Sequence, residues 1–330
     1  MILSRTALDE SLFASFALAN LAGHHADDGW EFGEVRRAVR LALAPSARRW
    51  SDALDAAGLK TAIKRAGGAL LMDVIPQFEP PPALMVRADA LHYLTGWQGA
   101  SLGAMTGFDD LLRRFYQESD VAALWQHWLP AYEEHVLLLD SVGSVLEMIA
   151  NDFNGGAPDD ALEVRLVPNL LDARGRGYSV SFDRETWLFF GPVGDCGHAR
   201  QLATHEFLHR WVDPIAERCA SETTAPDPIA FGQARFRIVA ELYPELAIWI
   251  GETVVRALTA WYVARGPESG SFDLNAALHH QERIGFLGAR EIVNRLRDGP
   301  AGAIGGLVQD AVVLARDRAL ETSDPEWRPL

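Results

Sequence analysis

The chain has 330 residues, of which 48% are hydrophobic and 23% are charged, a balance typical of a globular protein with one large domain or two smaller ones. The formal net charge is −15, and no basic patch stands out in the sequence. This composition argues against a nucleic-acid partner, because binding to phosphates needs clustered positive charge.

The first half of the chain is predicted to be helical. Apolar residues recur there at spacings of three and four, which places them along one face of a helix. The helices predicted in this way span 8–21, 33–44, 50–66, 108–117 and 121–149. The N-terminal one is expected to be amphipathic, and Pro130 is expected to kink or break the last.

A change of pattern follows at 151–158, where asparagine, glycine and proline interrupt the helical spacing. Apolar and polar residues then alternate with a period of two over 162–166, 178–182 and 186–190, which predicts a small antiparallel sheet. We therefore predict a helical N-terminal region at 1–150 and a second domain at 159–330.

The remainder of the chain returns to helical spacing. The predicted helices span 198–212, 230–242, 245–265 and 274–297, with a glycine-rich linker at 299–306. Asp195 is expected to cap the helix at 198–212, and Pro214 is expected to end it. The fold class predicted from these elements is α+β and predominantly helical.

Cysteine content and the longest apolar stretches bear on location. Cys196 and Cys219 do not make a disulfide framework, which fits a reducing compartment. Asp9 and Glu10 stand where a secretory signal needs basic residues, and acidic residues interrupt the apolar stretch 136–149. We expect a cytoplasmic protein with no membrane partner.

The pentapeptide 205–209 reads His-Glu-Phe-Leu-His, which is an H-E-x-x-H motif. On a helix, His205 and His209 lie one turn apart on the same face, where two imidazoles can bind one metal ion. Glu206 can reach a water molecule on that metal. His198, seven residues before His205, is a further candidate ligand on roughly the same face.

A catalytic zinc site commonly has three protein ligands and one position for water, so a third ligand is expected. The downstream candidates are Glu241, Glu245 and Glu252. Glu252 lies in the largely apolar stretch 247–255, where a carboxylate needs a partner. A metal ion would be such a partner, and so would Arg256 one turn later. The sequence favours Glu252 and leaves the other two glutamates open.

The order of strands, H-E-x-x-H helix and later glutamate-bearing helix resembles the gluzincin clan of zinc metallopeptidases. In detail it is similar to an uncharacterised domain-of-unknown-function family of predicted peptidases. The resemblance is carried by HEFLHRWVDP at 205–214, ETVVRALTA at 252–260, ERIGF at 282–286 and the strand region 167–192. It implies a zincin-like catalytic domain with Zn²⁺ held by His205, His209 and Glu252, and Glu206 as the catalytic glutamate. Asp213 stands where the family typically has asparagine.

These observations predict a zinc-dependent hydrolase, in the first place a metallopeptidase that acts on a peptide or protein substrate. Glu206 would take a proton from a zinc-activated water. Arg256 would either orient Glu252 or stabilise an oxyanion, and Tyr178 and Tyr243 are other candidates for the second role. Two alternatives stay open, namely a metal hydrolase of a non-peptide amide or ester, and a helical binding or scaffold protein whose zinc is structural or lost.

Overall fold

The structure is a computed structural model that describes residues 2–24, 31–87, 103–154, 162–182, 184–222, 246–266, 272–298 and 304–322. Within these ranges the protein is mostly helical and contains one small sheet, so the predicted α+β class is confirmed. The predicted boundary at 151–158 falls partly outside the described residues, as do the whole helix predicted at 230–242 and the first part of the linker at 299–306.

Two compact units are interleaved along the chain. Unit 1 consists of Met1–Ile2, Gly143–Ala161 and Ala203–Leu330, and unit 2 consists of Leu3–Val142 and Leu162–Leu202. Unit 2 therefore combines the predicted strands with the N-terminal helices. A division into independently folding domains at 1–150 and 159–330 stays a prediction.

Unit 2 is built from helices and a four-stranded sheet. The helices are α1 (Glu10–Leu21), α2 (Glu34–Leu43), α3 (Ala47–Ala56), α4 (Leu59–Val74), α5 (Phe108–Glu118) and α6 (Val121–Leu139). The strands are β1 (Ile2–Thr6), β2 (Leu162–Pro168), β3 (Gly177–Phe182) and β4 (Glu185–Phe190). In the sheet the order of the strands is β1-β2-β4-β3.

The sheet is mixed, whereas the sequence predicted an antiparallel one. Strand β3 pairs antiparallel with β4, with Ser179 opposite Leu188, but β2 pairs parallel with β4, with Leu166 opposite the same residue. The alternation of apolar residues reports which face of a strand is buried. It does not report strand order, and β4 lies between β2 and β3 here. The error therefore lies in the pairing, not in the location of the strands.

The N-terminal segment also differs from its prediction. Strand β1 precedes the first helix, and α1 begins only after Asp9, whose carboxylate accepts a hydrogen bond from the Leu12 amide at 2.9 Å. Every residue from Ser11 to Asn20 is buried, so α1 is a core helix and not an amphipathic one. A helix enclosed on all sides has no polar face to generate amphipathic spacing.

Glycines with positive φ divide two of the predicted helices, whereas the interior prolines divide none. Pro130 and Pro214 both lie inside continuous helices, since each removes only one backbone hydrogen bond and the surrounding turns remain. Gly58, with φ of 72°, separates α3 from α4 within the predicted helix 50–66. Gly285, with φ of 116°, ends the first of two helices where one was predicted at 274–297. Left-handed backbone of this kind cannot continue an α-helix.

Unit 1 is helical in its described part. Its helices are α7 (Gly143–Asn154), α8 (Cys196–Ser221, from Ala203 onward), α9 (Leu246–Arg265), α10 (Leu274–Ile284), α11 (Ala289–Asp298) and α12 (Ile304–Thr322). A short 3-10 turn at Asp140–Val142 separates α6 from α7, and α12 begins inside the region predicted to be a linker. Helix α9 packs against α7, α10, α11 and α12, which makes it the central element of the unit.

Helix α9 is the one helix among the described residues that passes a length-and-composition test for a membrane span. It is long and apolar enough by length and composition alone, but 67% of its most apolar window is buried inside the protein. The Tyr262 hydroxyl donates a hydrogen bond to Asp152 of α7 at 3.1 Å, which ties the helix to its own unit. These contacts are typical of the core helix of a globular unit.

Gly191 in unit 2 gives a first test of the fold. A Cβ atom there would lie 2.1 Å from the carbonyl oxygen of Ala173. Because a backbone atom cannot rotate away, Gly191→Ala is expected to lower the free energy of unfolding by about 2–3 kcal/mol in a denaturant titration. Gly194→Ala is the matched control, since nothing lies within 4 Å of its added Cβ. Equal stability of the two variants would contradict the close approach.

Candidate metal centre

The motif helix α8 is held at its first turn and along its apolar face. The Asp195 carboxylate accepts a hydrogen bond from the His198 amide at 2.8 Å, so the predicted cap is present. On the apolar face, the Phe207 ring meets Trp211 edge-on at 4.7 Å between centroids, and Trp211 stacks on Phe153 of α7 at 4.8 Å. With this face packed inward, the two motif histidines lie on a partly exposed face of the helix.

Three predicted ligands converge in unit 1. His205, His209 and Glu252 each offer a ligand atom, and these atoms all lie within 4.8 Å of one another. The two Nε2 atoms are 3.4 Å apart. Glu252 Oε2 lies 3.6 Å from His205 Nε2, and Glu252 Oε1 lies 3.6 Å from His209 Nε2.

These distances match the edges of a coordination tetrahedron. Zinc binds imidazole nitrogen and carboxylate oxygen at about 2.0–2.1 Å, so neighbouring ligand atoms in a tetrahedral site lie about 3.3 Å apart. The N···N separation of 3.4 Å is close to one such edge, and each N···O separation of 3.6 Å, measured to a different oxygen of Glu252, is close to another. The donor set therefore fits a metal ion with one position left for another ligand.

Glu252 is the third member of the cluster, as the apolar character of its surroundings predicted. It lies in the middle of α9 with 7% of its surface exposed. Glu241 and Glu245 lie outside the described residues. His198 is not part of the cluster found among the described residues. Its ring lies against Gly175 of unit 2, where an added Cβ atom would be 3.1 Å from it.

Arg256 is bound to Glu252. Its Nε donates to Glu252 Oε2 at 2.9 Å, and its Nη1 donates to Gln281 Oε1 at 3.4 Å. The guanidinium also lies over the Phe286 ring, 4.3 Å from the centroid. The contact with Glu252 agrees with the first predicted role of Arg256, which is to orient that carboxylate. The second role, stabilising an oxyanion, requires contact with a substrate and stays a prediction. Of the other oxyanion candidates, Tyr178 belongs to unit 2 and Tyr243 lies outside the described residues.

Asp213 contacts the second histidine, a contact that the sequence reasoning did not assign. Its carboxylate oxygens lie 2.9 Å and 3.1 Å from His209 Nδ1. A signal was present, because Asp213 follows His209 by four residues and so lies on the same face of α8. Gln281 was missed as well, and no local pattern links it to Arg256, which lies on another helix.

The charges of the cluster stabilise one another. Burial alone would lower the pKa of His209, but the Asp213 carboxylate, together with Glu252 and Glu206, raises it to about 9. Burial alone would raise the pKa of Glu252, but His205, His209 and Arg256 lower it to about 2. At neutral pH the cluster without metal thus contains an anionic Glu252 and a protonated His209. A metal cation would replace that proton, since metal ligands bind in the deprotonated form.

Glu206 lies next to this cluster in a buried position. Only 8% of its surface is exposed, and its negative charge contributes to the raised pKa of His209. The carboxylate is therefore close enough to His209 to act on its charge. Glu206 is not one of the three residues whose ligand atoms converge, and it lies buried beside them on α8.

Comparison with protein-family models, with curated proteins and with solved structures returned no significant match. The features that support the resemblance to gluzincins are thus the motif itself and the cluster of His205, His209 and Glu252, which is compatible with an H-E-x-x-H plus glutamate site.

Proposed function

We propose that this protein is a zinc-dependent hydrolase that cleaves peptide bonds. The observation that carries the proposal is the convergence of His205 Nε2, His209 Nε2 and the Glu252 carboxylate, whose two oxygens each lie 3.6 Å from one of these nitrogens, with the buried Glu206 beside them. A peptide or protein substrate and a cytoplasmic location are part of the proposal, and they are based on the resemblance and on the composition of the sequence.

Zinc is the metal that this donor set favours. Two imidazoles and one carboxylate are a common catalytic zinc set, whereas calcium and magnesium prefer oxygen ligands alone. Bound there, zinc would supply a Lewis acid for a carbonyl oxygen and would lower the pKa of a bound water.

The residues of the chain have separate tasks in this proposal. His205, His209 and Glu252 hold the ion. The Glu206 carboxylate accepts a proton from the attacking water and then delivers it to the nitrogen of the departing amine. Arg256 donates a hydrogen bond to Glu252 Oε2 at 2.9 Å and so would hold this carboxylate in place beside the two histidines.

Two other functions use the same cluster differently. A scaffold protein with structural zinc has no use for a buried carboxylate beside the ligands, so the burial of Glu206 favours an enzyme. A hydrolase of non-peptide amides or esters would use the same residues. A peptide-library assay separates that activity from peptidase activity, because only a peptidase would cleave members of the library.

Metal content is the test of the proposal. Protein purified without chelator and incubated with zinc is expected to contain about one zinc per chain by elemental analysis. Glu252→Ala should retain less than about a tenth of that amount, because its loss leaves two ligands. His205→Ala is a second ligand variant, made on α8, and it serves as the test if Glu252→Ala in the core helix α9 does not fold. His279→Ala is the matched control, since His279 is exposed and lies outside the cluster.

The results separate the alternatives. Zinc in the wild type and in His279→Ala, with loss in the two ligand variants, supports the site. Peptide cleavage that stops on chelation and returns with zinc then supports the activity. A wild-type protein that binds no zinc after incubation overturns the proposal, and zinc retained by both ligand variants shows that the ion lies elsewhere.

A further inference from the structure

We propose that Asp213 is a positioning residue that fixes the ring orientation and tautomer of His209, and that Gly251 provides the space for its carboxylate. This inference rests on the proposed metal centre. It goes beyond it by assigning roles to two residues that are not ligands and that the motif does not include.

The hydrogen bond between the two side chains determines which nitrogen of His209 faces the site. Both carboxylate oxygens of Asp213 lie within 3.1 Å of Nδ1, so this nitrogen carries the proton and donates it. The opposite nitrogen, Nε2, is then the one with a lone pair when the ring is neutral. It is also the atom that lies 3.4 Å from His205 Nε2 and 3.6 Å from Glu252 Oε1. Asp213 thus presents His209 to the cluster in the form that a metal requires.

Gly251 makes this arrangement possible from the neighbouring helix. A Cβ atom at residue 251 would lie 3.1 Å from Asp213 Oδ1 and 3.6 Å from the Cβ of Ala216. The first distance is tight, so any side chain would press on the carboxylate that holds His209. Gly251 also immediately precedes Glu252, so the close approach of α9 to α8 at this point serves both the third ligand and the positioning residue.

Exposure separates a positioning role from a role in stability. The Asp213 side chain is 48% exposed, and an ion pair that is exposed to this extent adds little to the free energy of unfolding. An outer partner of a histidine ligand, in contrast, changes metal affinity about 10–100-fold when it is removed. Loss of Asp213 is therefore expected to weaken metal binding while the stability of the metal-free protein hardly changes.

The experiment compares three single variants with the wild type. Asp213→Ala removes the hydrogen bond, and Gly251→Ala leaves Asp213 in place but presses on it. Glu217→Ala is the matched control, because it removes one carboxylate from an exposed position one turn later on α8. The dissociation constant for zinc is measured by competition with a chromophoric chelator, and the melting temperature is measured on metal-free protein. ¹⁵N NMR of histidine-labelled metal-free protein reports whether Nδ1 of His209 carries a proton, with the signal assigned from its absence in His209→Gln.

We expect Asp213→Ala to raise the dissociation constant for zinc about 10–100-fold and Gly251→Ala to raise it at least about threefold. The melting temperature of the metal-free Asp213→Ala protein should stay within about 3 °C of the wild type, and Glu217→Ala should resemble the wild type in every measurement. In the NMR spectrum, the proton on Nδ1 of His209 should be present in the wild type and lost in Asp213→Ala.

Failure of this inference differs from failure of the proposed function. If the wild type binds zinc and Asp213→Ala binds it with a dissociation constant within threefold, the positioning role is overturned and the metal centre stands. If the wild type binds no zinc, the proposed function is overturned, and the NMR measurement alone then tests the positioning role of Asp213. An Nδ1 proton that persists in Asp213→Ala would then overturn the inference, and its loss would support control of the tautomer by Asp213.

Discussion

Glu206→Gln is expected to lower kcat for peptide hydrolysis about a thousandfold while the zinc content stays at the wild-type level. Glutamine has nearly the size and shape of glutamate, so the buried position, with 8% exposure, can accept it without repacking. Its amide cannot accept a proton from water at neutral pH, and the reaction loses its base. His205, His209 and Glu252 are unchanged, which is why the affinity for metal should persist.

The measurement is steady-state hydrolysis of the best library peptide, together with elemental analysis of the same samples. Glu217→Gln controls for the loss of one negative charge from α8, because Glu217 is exposed and has no place in the cluster. Turnover by Glu206→Gln within tenfold of the wild type would remove Glu206 from the mechanism. Loss of zinc from this variant would instead mean that Glu206 belongs to the ligand set.

Phe207→Ala is expected to lower the free energy of unfolding by about 3–5 kcal/mol. The Phe207 ring is completely buried in unit 1 and meets the Trp211 ring at 4.7 Å. Truncation removes this contact and leaves a cavity behind the two motif histidines. We also expect weaker zinc binding, because His205 and His209 keep their separation only while α8 is held against its core.

Denaturant unfolding of metal-free protein measures the change in stability without a contribution from bound zinc. Phe207→Leu is the conservative comparison and should cost about 1–2 kcal/mol, since most of the volume is retained. A loss below about 1 kcal/mol for Phe207→Ala would show that the motif helix does not depend on this packing.

The local features of the site could be predicted from the sequence because helical periodicity is a local property. The four-residue spacing of His205 and His209 placed both imidazoles on one face, and their Nε2 atoms lie 3.4 Å apart. The apolar stretch around Glu252 predicted a buried carboxylate in need of a partner, and it is 7% exposed in the cluster. In each case the residue types within one or two turns carried the information.

Helix ends and strand pairing were predicted less well. Pro214 was expected to end the motif helix, but α8 continues to Ser221 because packing compensates for one missing hydrogen bond. The sheet was expected to be antiparallel, but β4 lies between β2 and β3 and therefore pairs with β2, to which it runs parallel. The packing around Pro214 and the pairing of the strands both depend on segments that are distant in sequence. Local periodicity does not report such contacts.

The sequence by itself determined a predominantly helical chain, the H-E-x-x-H face of α8 and a buried glutamate on a later helix. Only the tertiary structure decided that Glu252 of α9 reaches the two histidines of α8. The physical reason is the approach of α9 to α8 at Gly251, where a Cβ atom would lie 3.1 Å from Asp213 Oδ1. That approach depends on how two helices pack, and helices far apart in sequence pack according to the shape of their whole surfaces.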